Sequence, residues 1–383
     1  MKDALGLYLH FPFCVKKCAY CDFLSAPAEE GVRRAYAKAM IAEIQAAGRR
    51  LAEEAPETRV DTVFLGGGTP SVMPADTLFS VFEALKQNFS IEEDAEITME
   101  VNPGTLGEEM LSFIKARVNR VSVGLQGTHE EELRILGRIH SYEDFLSSFE
   151  ALRMAGVRNL SVDLMSALPG QTEKMWEEDL IRVISQSPEH ISAYSLIIEE
   201  GTPFYEAYAR GAFSGRYALP DEETERRMYY RTKEILESSA YERYEISNYA
   251  RAGFASRHNL RYWERRDYLG FGIGAASLFR HVRWNNTRDL KEYLSGDYAR
   301  RGEERLSRKA EMEEFMFLGL RKAAGVSFSE FESCFGAAMT TVYGKILERH
   351  LEEGLLARKG ERVFLTERGF DLANSVMAAY LFD

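Results

Sequence analysis

The chain has 383 residues, which suggests two or three domains at about 100–200 residues each. Its 48 Lys and Arg against 60 Asp and Glu give a net charge of −12, and an acidic protein of this kind repels nucleic-acid phosphates. We therefore expect no nucleic-acid partner. No apolar run of about 18 residues predicts a transmembrane segment, and the first residues lack the pattern of a cleaved signal.

Strands and helices are predicted to alternate through the first half of the chain. The predicted strands cover residues 4–11, 60–65, 95–101, 120–126, 160–168 and 190–198. The predicted helices cover about 29–54, 75–89, 107–116, 129–136, 142–155 and 172–186. Such alternation is typical of βαβ units and a parallel sheet. Six units are too few for a complete eight-stranded barrel, so the fold class is α/β, a partial (β/α)6 barrel.

The second half of the chain follows a different pattern. We predict a loop at 201–220, a helix at 221–238 and strands at 245–250 and 269–279. Amphipathic helices follow at 311–323 and 339–354, and a hairpin at 355–369. Helices followed by a small hairpin suggest a mostly helical, winged-helix-like C-terminal domain. The expected divisions are a partial barrel at 1–205, an extension at 206–300 and the C-terminal domain at 301–383. Residues 307–383 hold 10 Lys and Arg against 12 Asp and Glu, so no DNA-binding basic face is expected there.

Three of the four cysteines form a Cys14-x3-Cys18-x2-Cys21 cluster. Four cysteines in a chain of this length do not make a disulfide framework. Thiolates select zinc, copper or iron–sulfur clusters, and structural zinc usually takes a second pair of ligands downstream. No such pair exists, and Cys334 is distant and expected to be buried in a helix. An iron–sulfur cluster is favoured, while His10 keeps a Cys3His zinc site open as an alternative.

Polar residues and glycines follow several predicted strands. In parallel α/β folds, functional groups gather at the carboxyl ends of the strands. Gly66-Gly67-Gly68-Thr69-Pro70 follows the second strand, where glycines permit close backbone approach and expose N–H or C=O groups to a ligand. Taken alone, the glycine triplet is as well explained by a tight turn.

The cysteine spacing directly after a first strand resembles the signature of the radical S-adenosylmethionine (SAM) superfamily. Further motifs, in the same order, resemble the oxygen-independent coproporphyrinogen-III dehydrogenase family across nearly the whole chain. These motifs are YLHFPFC at 8–14, CDF at 21–23, GGGTP at 66–70, EVNP at 100–103, SVGLQ at 122–126, LGR at 136–138, DLM at 163–165, LPGQT at 168–172 and SAYS at 192–195. The resemblance implies a [4Fe–4S] cluster on Cys14, Cys18 and Cys21. It also implies SAM chelating the open iron, and cleavage of SAM to a 5′-deoxyadenosyl radical on one-electron reduction.

The resemblance also assigns roles at the methionine end of SAM. It places Tyr8 beside the cluster-bound SAM and Gly67, Gly68 and Thr69 along its methionine part. It places Arg138 against a carboxylate, which suits the planar guanidinium.

At the adenosyl end, the resemblance places Tyr20 beside the adenine and Glu100 on the ribose hydroxyls. Gln126 and Asp163 would complete the adenosyl pocket or a second SAM site. Taken one at a time, a Glu or Arg at a strand end is usually a surface charge, and Gln126 is as well explained as a helix cap.

Two departures argue against porphyrinogen decarboxylation. The enzymes of the resembled family carry a fourth cysteine two positions after the third, where this chain has Phe23, and an N-terminal extension, where only 13 residues precede Cys14. One addition points elsewhere: the His-Asn-x-x-Tyr-Trp within residues 257–266 resembles the mark of the HemW-type branch, regarded as haem chaperones.

The segment 257–266 is chemically suited to haem. Histidine is a common axial ligand of haem iron, which makes His258 the candidate ligand, and Tyr262 and Trp263 offer flat apolar surface. Four arginines, at 257, 261, 265 and 266, are available to neutralise propionates. In a helix, His258, Arg261, Tyr262 and Arg265 would share one face. The alternative is a packed histidine beside a solvated arginine face.

The sequence therefore predicts a radical-SAM-type haem chaperone. It would bind a [4Fe–4S] cluster, SAM and haem as cargo, take electrons from a donor for the cluster, and pass haem to acceptor haem proteins. The alternative is oxygen-independent coproporphyrinogen-III dehydrogenase, an enzyme of haem biosynthesis that decarboxylates propionates to vinyls. A radical SAM enzyme with another substrate is a weaker possibility, so whether the chain is an enzyme stays open. A thiolate-bound, oxygen-labile cluster fits a reducing cytoplasm, with peripheral membrane contact left open.

Overall fold

The structure is a computed structural model that describes residues 4–382. Six parallel strands lie side by side in chain order, as the partial barrel predicts. They are β1 (Ala4–Phe11), β2 (Arg59–Gly67), β3 (Ser90–Val101), β4 (Arg120–Gln126), β5 (Asn159–Ser166) and β6 (His190–Ser195). The helices between them are α1 (Glu30–Glu54), α2 (Ala75–Asn88), α3 (Glu108–Arg117), α4 (Glu130–Leu136), α5 (Tyr142–Met154) and α6 (Glu173–Ser185). The predicted α/β class and strand–helix alternation are confirmed.

Strand β1 shows how the two faces of the sheet divide. Leu5, Leu7 and Leu9 are fully buried in the main hydrophobic core together with residues of the surrounding helices. The alternate positions carry small or polar residues, because successive side chains of a strand point to opposite faces. Tyr8 pairs with Phe64 of β2 and its ring lies 6.1 Å from that of Phe64, on the interior face of the barrel.

The middle of the chain extends the same sheet on both sides. Its elements are α7 (Pro203–Ala209), α8 (Glu222–Ser238), β7 (Glu242–Arg243), β8 (Asn248–Ala250), α9 (Arg257–Trp263), β9 (Tyr268–Phe271), β10 (Ala276–Phe279), β11 (Val282–Asn285), α10 (Leu290–Leu294) and β12 (Arg301–Arg305). Strand β9 pairs parallel with β1, and β8 pairs antiparallel with β6. The resulting twelve-stranded sheet runs in the order β12-β11-β10-β9-β1-β2-β3-β4-β5-β6-β8-β7.

Two predictions in this region are wrong in detail. Part of the predicted loop at 201–220 forms α7, because Thr202 caps the backbone N–H of Tyr205 and Pro203 occupies the first turn. The single strand predicted at 269–279 is two antiparallel strands, β9 and β10. Gly272 and Gly274 adopt φ values of +94° and +66°, which an uninterrupted strand does not contain.

The last eighty residues form a smaller unit with its own hydrophobic core. Its elements are α11 (Arg308–Gly319), β13 (Val326–Ser327), α12 (Phe328–Phe335), α13 (Met339–Glu352), β14 (Leu356–Lys359), β15 (Arg362–Leu365), α14 (Glu367–Asp371) and α15 (Ala373–Ala378). The predicted hairpin is β14–β15, in a three-stranded sheet with β13. Cys334 was expected to be buried, but it lies exposed on α12. Within residues 4–382, none of the helices has the length and apolar character needed to cross a membrane.

Candidate cofactor pocket

A cavity of about 490 Å³ opens at the carboxyl ends of the parallel strands. Three kinds of group line it: the cysteine loop, the residues that end β2 to β6, and a few residues of the middle segment. Most of the sequence-predicted site residues are brought together in this wall. These are Cys14, Cys18, Cys21, Tyr20, Gly67, Gly68, Thr69, Glu100, Gln126, Arg138 and Asp163.

The three cysteines lie on the loop between β1 and α1, all as free, half-buried thiols. Two of the sulfur atoms accept hydrogen bonds from across the cavity. Thr69 Oγ1 lies 3.5 Å from Cys14 Sγ, and Arg138 Nη1 lies 3.6 Å from Cys18 Sγ. Donors aimed at sulfur favour thiolates, because hydrogen bonds to the charged form stabilise it. The donor set therefore suits a thiolate-bound metal cluster.

The geometry bears on the choice between a cluster and a single zinc ion. The three sulfur ligands of a Cys3His site, at about 2.3 Å from zinc, would lie about 3.8 Å apart. The three cysteine sulfurs are not all within 4.8 Å of one another. His10, the proposed fourth zinc ligand, uses both ring nitrogens elsewhere, with Nδ1 3.0 Å from Tyr8 Oη and Nε2 2.9 Å from the Leu24 carbonyl oxygen. These contacts favour the iron–sulfur prediction over the zinc alternative.

The glycine triplet allows the backbone of the cysteine loop to lie close to the end of β2, and two of its N–H groups are not exposed. Gly68 N–H donates to the Phe11 carbonyl at 2.8 Å, and Gly67 N–H donates to Glu100 Oε2 at 3.0 Å. A Cβ atom on Gly68 would lie 2.6 Å from the Phe13 carbonyl oxygen. The expectation that the triplet offers bare N–H groups to a ligand is thus wrong for these two. The triplet holds the cysteine loop against the end of β2.

Two buried carboxylates face the cavity from β3 and β5. Desolvation, followed by the charge of Asp163, raises the pKa of Glu100 to about 7. Desolvation also raises the pKa of Asp163, while Ser122 Oγ donates to both of its oxygens at 3.1 and 3.2 Å. Carboxylates at this depth can accept hydrogen bonds from ligand hydroxyl or amino groups, and such bonds would offset part of their desolvation.

Arg138 lies at the centre of a hydrogen-bond network that the sequence did not predict. Its Nη2 donates to Asn102 Oδ1 at 2.7 Å, and Asn102 Nδ2 donates to Thr69 Oγ1 at 2.7 Å. Nη2 also donates to the Gly124 carbonyl oxygen. The guanidinium is therefore largely engaged by protein groups. In the structure it braces the cysteine loop against the ends of β3 and β4. The carboxylate contact expected for it stays a prediction.

The residues expected at the adenosyl end of SAM line the same cavity. Gln126 ends β4 with a φ of +77°, a left-handed conformation that is uncommon for residues other than glycine. Its Oε1 accepts from Tyr194 Oη at 2.9 Å. Tyr20 and Tyr194 both line the cavity. Tyr8 does not: its hydroxyl contacts His10, and its ring lies below the cavity beside Phe64.

Two cavity residues were missed in the sequence. Arg120 begins β4 and is 2% exposed, and its Nε has no hydrogen-bond partner among the described residues. The signal in the sequence was a charged residue on the inward-facing side of β4, where Ser122 and Gly124 occupy the next two inward positions. Asn259 reaches the cavity from α9. Its position beside His258 gave no indication of this, since the packing of α9 inside the barrel decides it.

The segment predicted to contact haem is instead packed into the barrel. Helix α9 covers residues 257–263, and Glu96 of β3 accepts its first N–H groups, those of Arg257 and His258, both at 3.0 Å. His258 is 1% exposed. Its Nδ1 lies 2.9 Å from Thr62 Oγ1 and its Nε2 lies 2.9 Å from Tyr262 Oη. Neither ring nitrogen is free for iron in this arrangement, so the structure does not support His258 as the axial ligand.

The neighbouring arginines and aromatics are also engaged. Arg261 is buried and forms an ion pair with Asp61. Arg265 lies beyond the end of α9, so it does not extend the predicted helix face, and it pairs with Glu311 and Glu314 at 3.3 and 3.1 Å. The Trp263 ring is covered by the guanidinium of Arg321 at 4.4 Å. The packed histidine of the alternative is present, but its solvated arginine face is not, because Arg261 and Arg265 are buried or half-buried in ion pairs.

Comparisons with known proteins agree with this geometry. The radical SAM superfamily profile matches residues 8–183, and the HemN C-terminal domain profile matches residues 306–372. The chain is 35% identical to "Heme chaperone HemW" of Lactococcus lactis, covering 98% of this chain and 97% of the relative. It is 36% identical to "Heme chaperone HemW" of Bacillus subtilis, covering 100% and 99%.

A solved structure shares the fold. Coproporphyrinogen III oxidase (HemN) from Escherichia coli, described as a radical SAM enzyme, superimposes with a TM-score of 0.86 at 22% identity, covering 99% of this chain and 90% of that one. At this identity the likeness shows the fold alone, and the full-length relatives show the family. With a radical SAM barrel, a three-cysteine loop at its carboxyl end and relatives along its whole length, the chain belongs to the HemW family of radical SAM proteins.

Proposed function

We propose that this protein is a haem chaperone, which binds haem and passes it to acceptor haem proteins. The observation that carries the proposal is identity of 35–36% to two haem chaperones over at least 97% of all the chains compared. Phe23 supports it: this side chain is 63% exposed at the cavity wall, at the position where the decarboxylating enzymes carry a further cysteine.

The pocket at the carboxyl end of the barrel fits the cofactors of the superfamily. Cys14, Cys18 and Cys21 would hold a [4Fe–4S] cluster, and Thr69 and Arg138 would donate hydrogen bonds to its thiolates. When bound, the cluster and SAM together supply one-electron chemistry. Glu100 and Asp163 would accept hydrogen bonds from bound SAM, and Tyr20 would pack against its adenine.

The chaperone and enzyme hypotheses differ in whether the protein converts coproporphyrinogen III catalytically. The test is anaerobic reconstitution with iron and sulfide, followed by two assays on the same preparation. We expect stoichiometric haem binding, and faster haem delivery to a haem-stripped cytochrome than free haem provides. We expect no protoporphyrinogen from coproporphyrinogen III, SAM and a reductant. Catalytic formation of protoporphyrinogen would establish the dehydrogenase and overturn the chaperone proposal.

Location and redox partner follow from the same chemistry. A thiolate-bound cluster requires a reducing compartment, so we place the protein in the cytoplasm with an electron donor for the cluster. Fractionation under anaerobic conditions, compared between cells with and without haem synthesis, tests whether the haem-loaded form associates with membranes.

A further inference from the structure

A second cavity, of about 480 Å³, lies at the opposite end of the barrel from the cofactor pocket. It is lined by the first residue of β1, Ala4, and by Thr58, which precedes β2. Its other walls are residues 264–267, the β10–β11 hairpin and helices α11 and α12 of the C-terminal unit. We call this cavity the hairpin groove. Strand β1 separates it from the cysteine loop by about 25 Å, at about 3.3 Å per residue.

The hairpin groove combines apolar side chains, three arginines, four carboxylates and one exposed histidine. Leu278 and Phe279 line it from β10, and Phe315 and Phe335 line it from the C-terminal unit. Its volume falls within the range of about 300–1,000 Å³ that is usual for small-molecule and cofactor sites. Leu278, Phe279 and Phe335 are each at most 8% exposed, so the groove offers a planar ligand the edges of these side chains and the half-buried Phe315 ring.

His281 is distinguished from the other six histidines by its exposure. The other six rings are buried or half-buried, whereas the His281 side chain is 65% exposed. Its Nδ1 contacts Glu311 Oε1, and a carboxylate acceptor at this position favours the tautomer with the proton on Nδ1. The Nε2 lone pair then points away from that contact, and no partner for it is described within residues 4–382. Metal-ligating histidines have this arrangement, because a carboxylate on one nitrogen fixes the tautomer that leaves the other free.

The backbone that presents His281 is strained. Arg280 and His281 are the two turn residues between the paired positions Phe279 and Val282, with φ values of +49° and +68°. Such two-residue turns normally hold Asn and Gly, since left-handed backbone is unfavourable for larger residues. Backbone strain of this kind persists mainly where a site requires a particular side chain.

Arg280 gives the hairpin groove a cation for an acidic substituent. Its Nη1 donates to the Glu54 carbonyl oxygen at 2.9 Å, and no ion pair is described for it in the part of the chain that the structure covers. By contrast, the neighbouring Arg265 and Arg266 are already neutralised by glutamates.

We propose that the hairpin groove binds haem, with His281 Nε2 as the axial ligand of iron. Glu311 would accept a hydrogen bond from His281 Nδ1–H, and Arg280 would face one propionate. This inference rests on the proposed function, and it assigns the haem to the barrel end remote from the cluster. Cys334 lies in the same groove and is the competing ligand that the test must separate.

The test is titration of the full-length protein with ferric haem, followed by the Soret band. The first variant is His281→Gly, because glycine favours the left-handed turn and leaves space for added imidazole. Loss of an outer-sphere partner already weakens metal sites about 10–100-fold, so loss of the ligand should weaken haem binding at least about tenfold. Free imidazole should restore the wild-type Soret band. His258→Gln and Cys334→Ser should leave the band unchanged.

The propionate contact has its own test. Haem whose propionates are esterified should bind wild type more weakly than haem does, and Arg280→Asn should remove that discrimination, since asparagine tolerates the turn. Equal affinity and an identical band in wild type and His281→Gly would overturn the groove assignment. So would loss of the band in Cys334→Ser alone. Failure of the wild type to bind haem would instead overturn the proposed function.

Discussion

The two ends of the barrel hold cavities of nearly equal size, about 490 and 480 Å³, with opposite chemistry. At the carboxyl end, polar side chains are buried and hydrogen-bonded to one another around three thiols. At the amino end, the His281 imidazole and the Arg280 guanidinium remain exposed beside largely buried aromatic rings. Under the two proposals, hydrogen-bonded groups at the carboxyl end would position a cofactor, whereas accessible groups at the amino end would take up and release haem.

Helix α9 packs against β2 and β3, and its histidine differs from that of the hairpin. His258 has both ring nitrogens engaged within the barrel, and burial, together with the charges of Arg261 and Arg120, lowers its pKa to about 3. It is therefore a neutral packing residue. His281 has one nitrogen engaged by a carboxylate and an exposed ring. The histidine of the family motif is therefore a different residue from the one that we propose as the iron ligand.

The largest expected effect is loss of the cluster at the carboxyl end without any change in haem binding at the amino end. In Cys18→Ser, the cluster loses one of three ligands, so iron in the haem-free, reconstituted protein should fall from about four per chain to near zero. Cys334→Ser should retain wild-type iron content. Haem affinity should be unchanged in Cys18→Ser, since the hairpin groove lies at the other end. A parallel loss of haem binding would show that the two sites form one unit.

The next effect concerns stability rather than ligand binding. His258→Ala removes the hydrogen bond to Tyr262 Oη and one of the two to Thr62 Oγ1, which keeps only its contact with Arg261 Nε. Because it also leaves a cavity inside the barrel, we expect the free energy of unfolding to fall by about 3–4 kcal/mol. His281→Ala, at an exposed position, should change it by less than about 0.5 kcal/mol. Urea unfolding followed by circular dichroism measures both. Normal stability with weakened haem binding in His258→Ala would reverse the comparison of the two histidines.

A smaller effect is expected for the glycine that supports the cysteine loop. In Gly68→Ala, the added Cβ would lie 2.6 Å from the Phe13 carbonyl oxygen, so the loop must move. We expect a loss of about 2 kcal/mol in stability and incomplete cluster loading. Gly31→Ala is the matched control, since a Cβ there meets nothing within 4 Å. Full cluster content in Gly68→Ala would show that the loop does not depend on this close approach.

The smallest effect is a pH dependence at the carboxyl end. The pKa of Glu100 is raised from 4.5 to about 7, so between these values the folded chain holds a proton that the unfolded chain releases. Its contribution to stability is present below pH 4.5 and is lost as the pH rises through 7. In the cofactor-free protein, Glu100→Gln should therefore be stabilised relative to wild type by about 1–2 kcal/mol at pH 8, but not at pH 4. An equal difference at both pH values would assign the effect to packing instead.

Much of the barrel and its pocket could be predicted from local sequence. Apolar strands alternate with helices, and the parallel connection brings the polar strand ends of Glu100, Gln126 and Asp163 to one edge, beside the cysteine loop. Spacing along the chain is sufficient for this, because each βα unit repeats the same geometry. The middle segment was predicted less well. The glycine turn at 272–274 and the short strands β11 and β12 depend on pairing with distant parts of the sheet.

The sequence by itself determined the fold class, the three-thiol loop and the family to which the chain belongs. Only the tertiary structure decided which histidine and which arginines are available to a ligand. His258 and Arg261 are drawn into the barrel by Thr62 and Asp61, about 200 positions earlier in the chain. His281 and Cys334 meet in one groove because the C-terminal unit packs against the amino end of the barrel. Whether a side chain is available to a ligand depends on long-range burial and pairing, which a local pattern of residues does not predict.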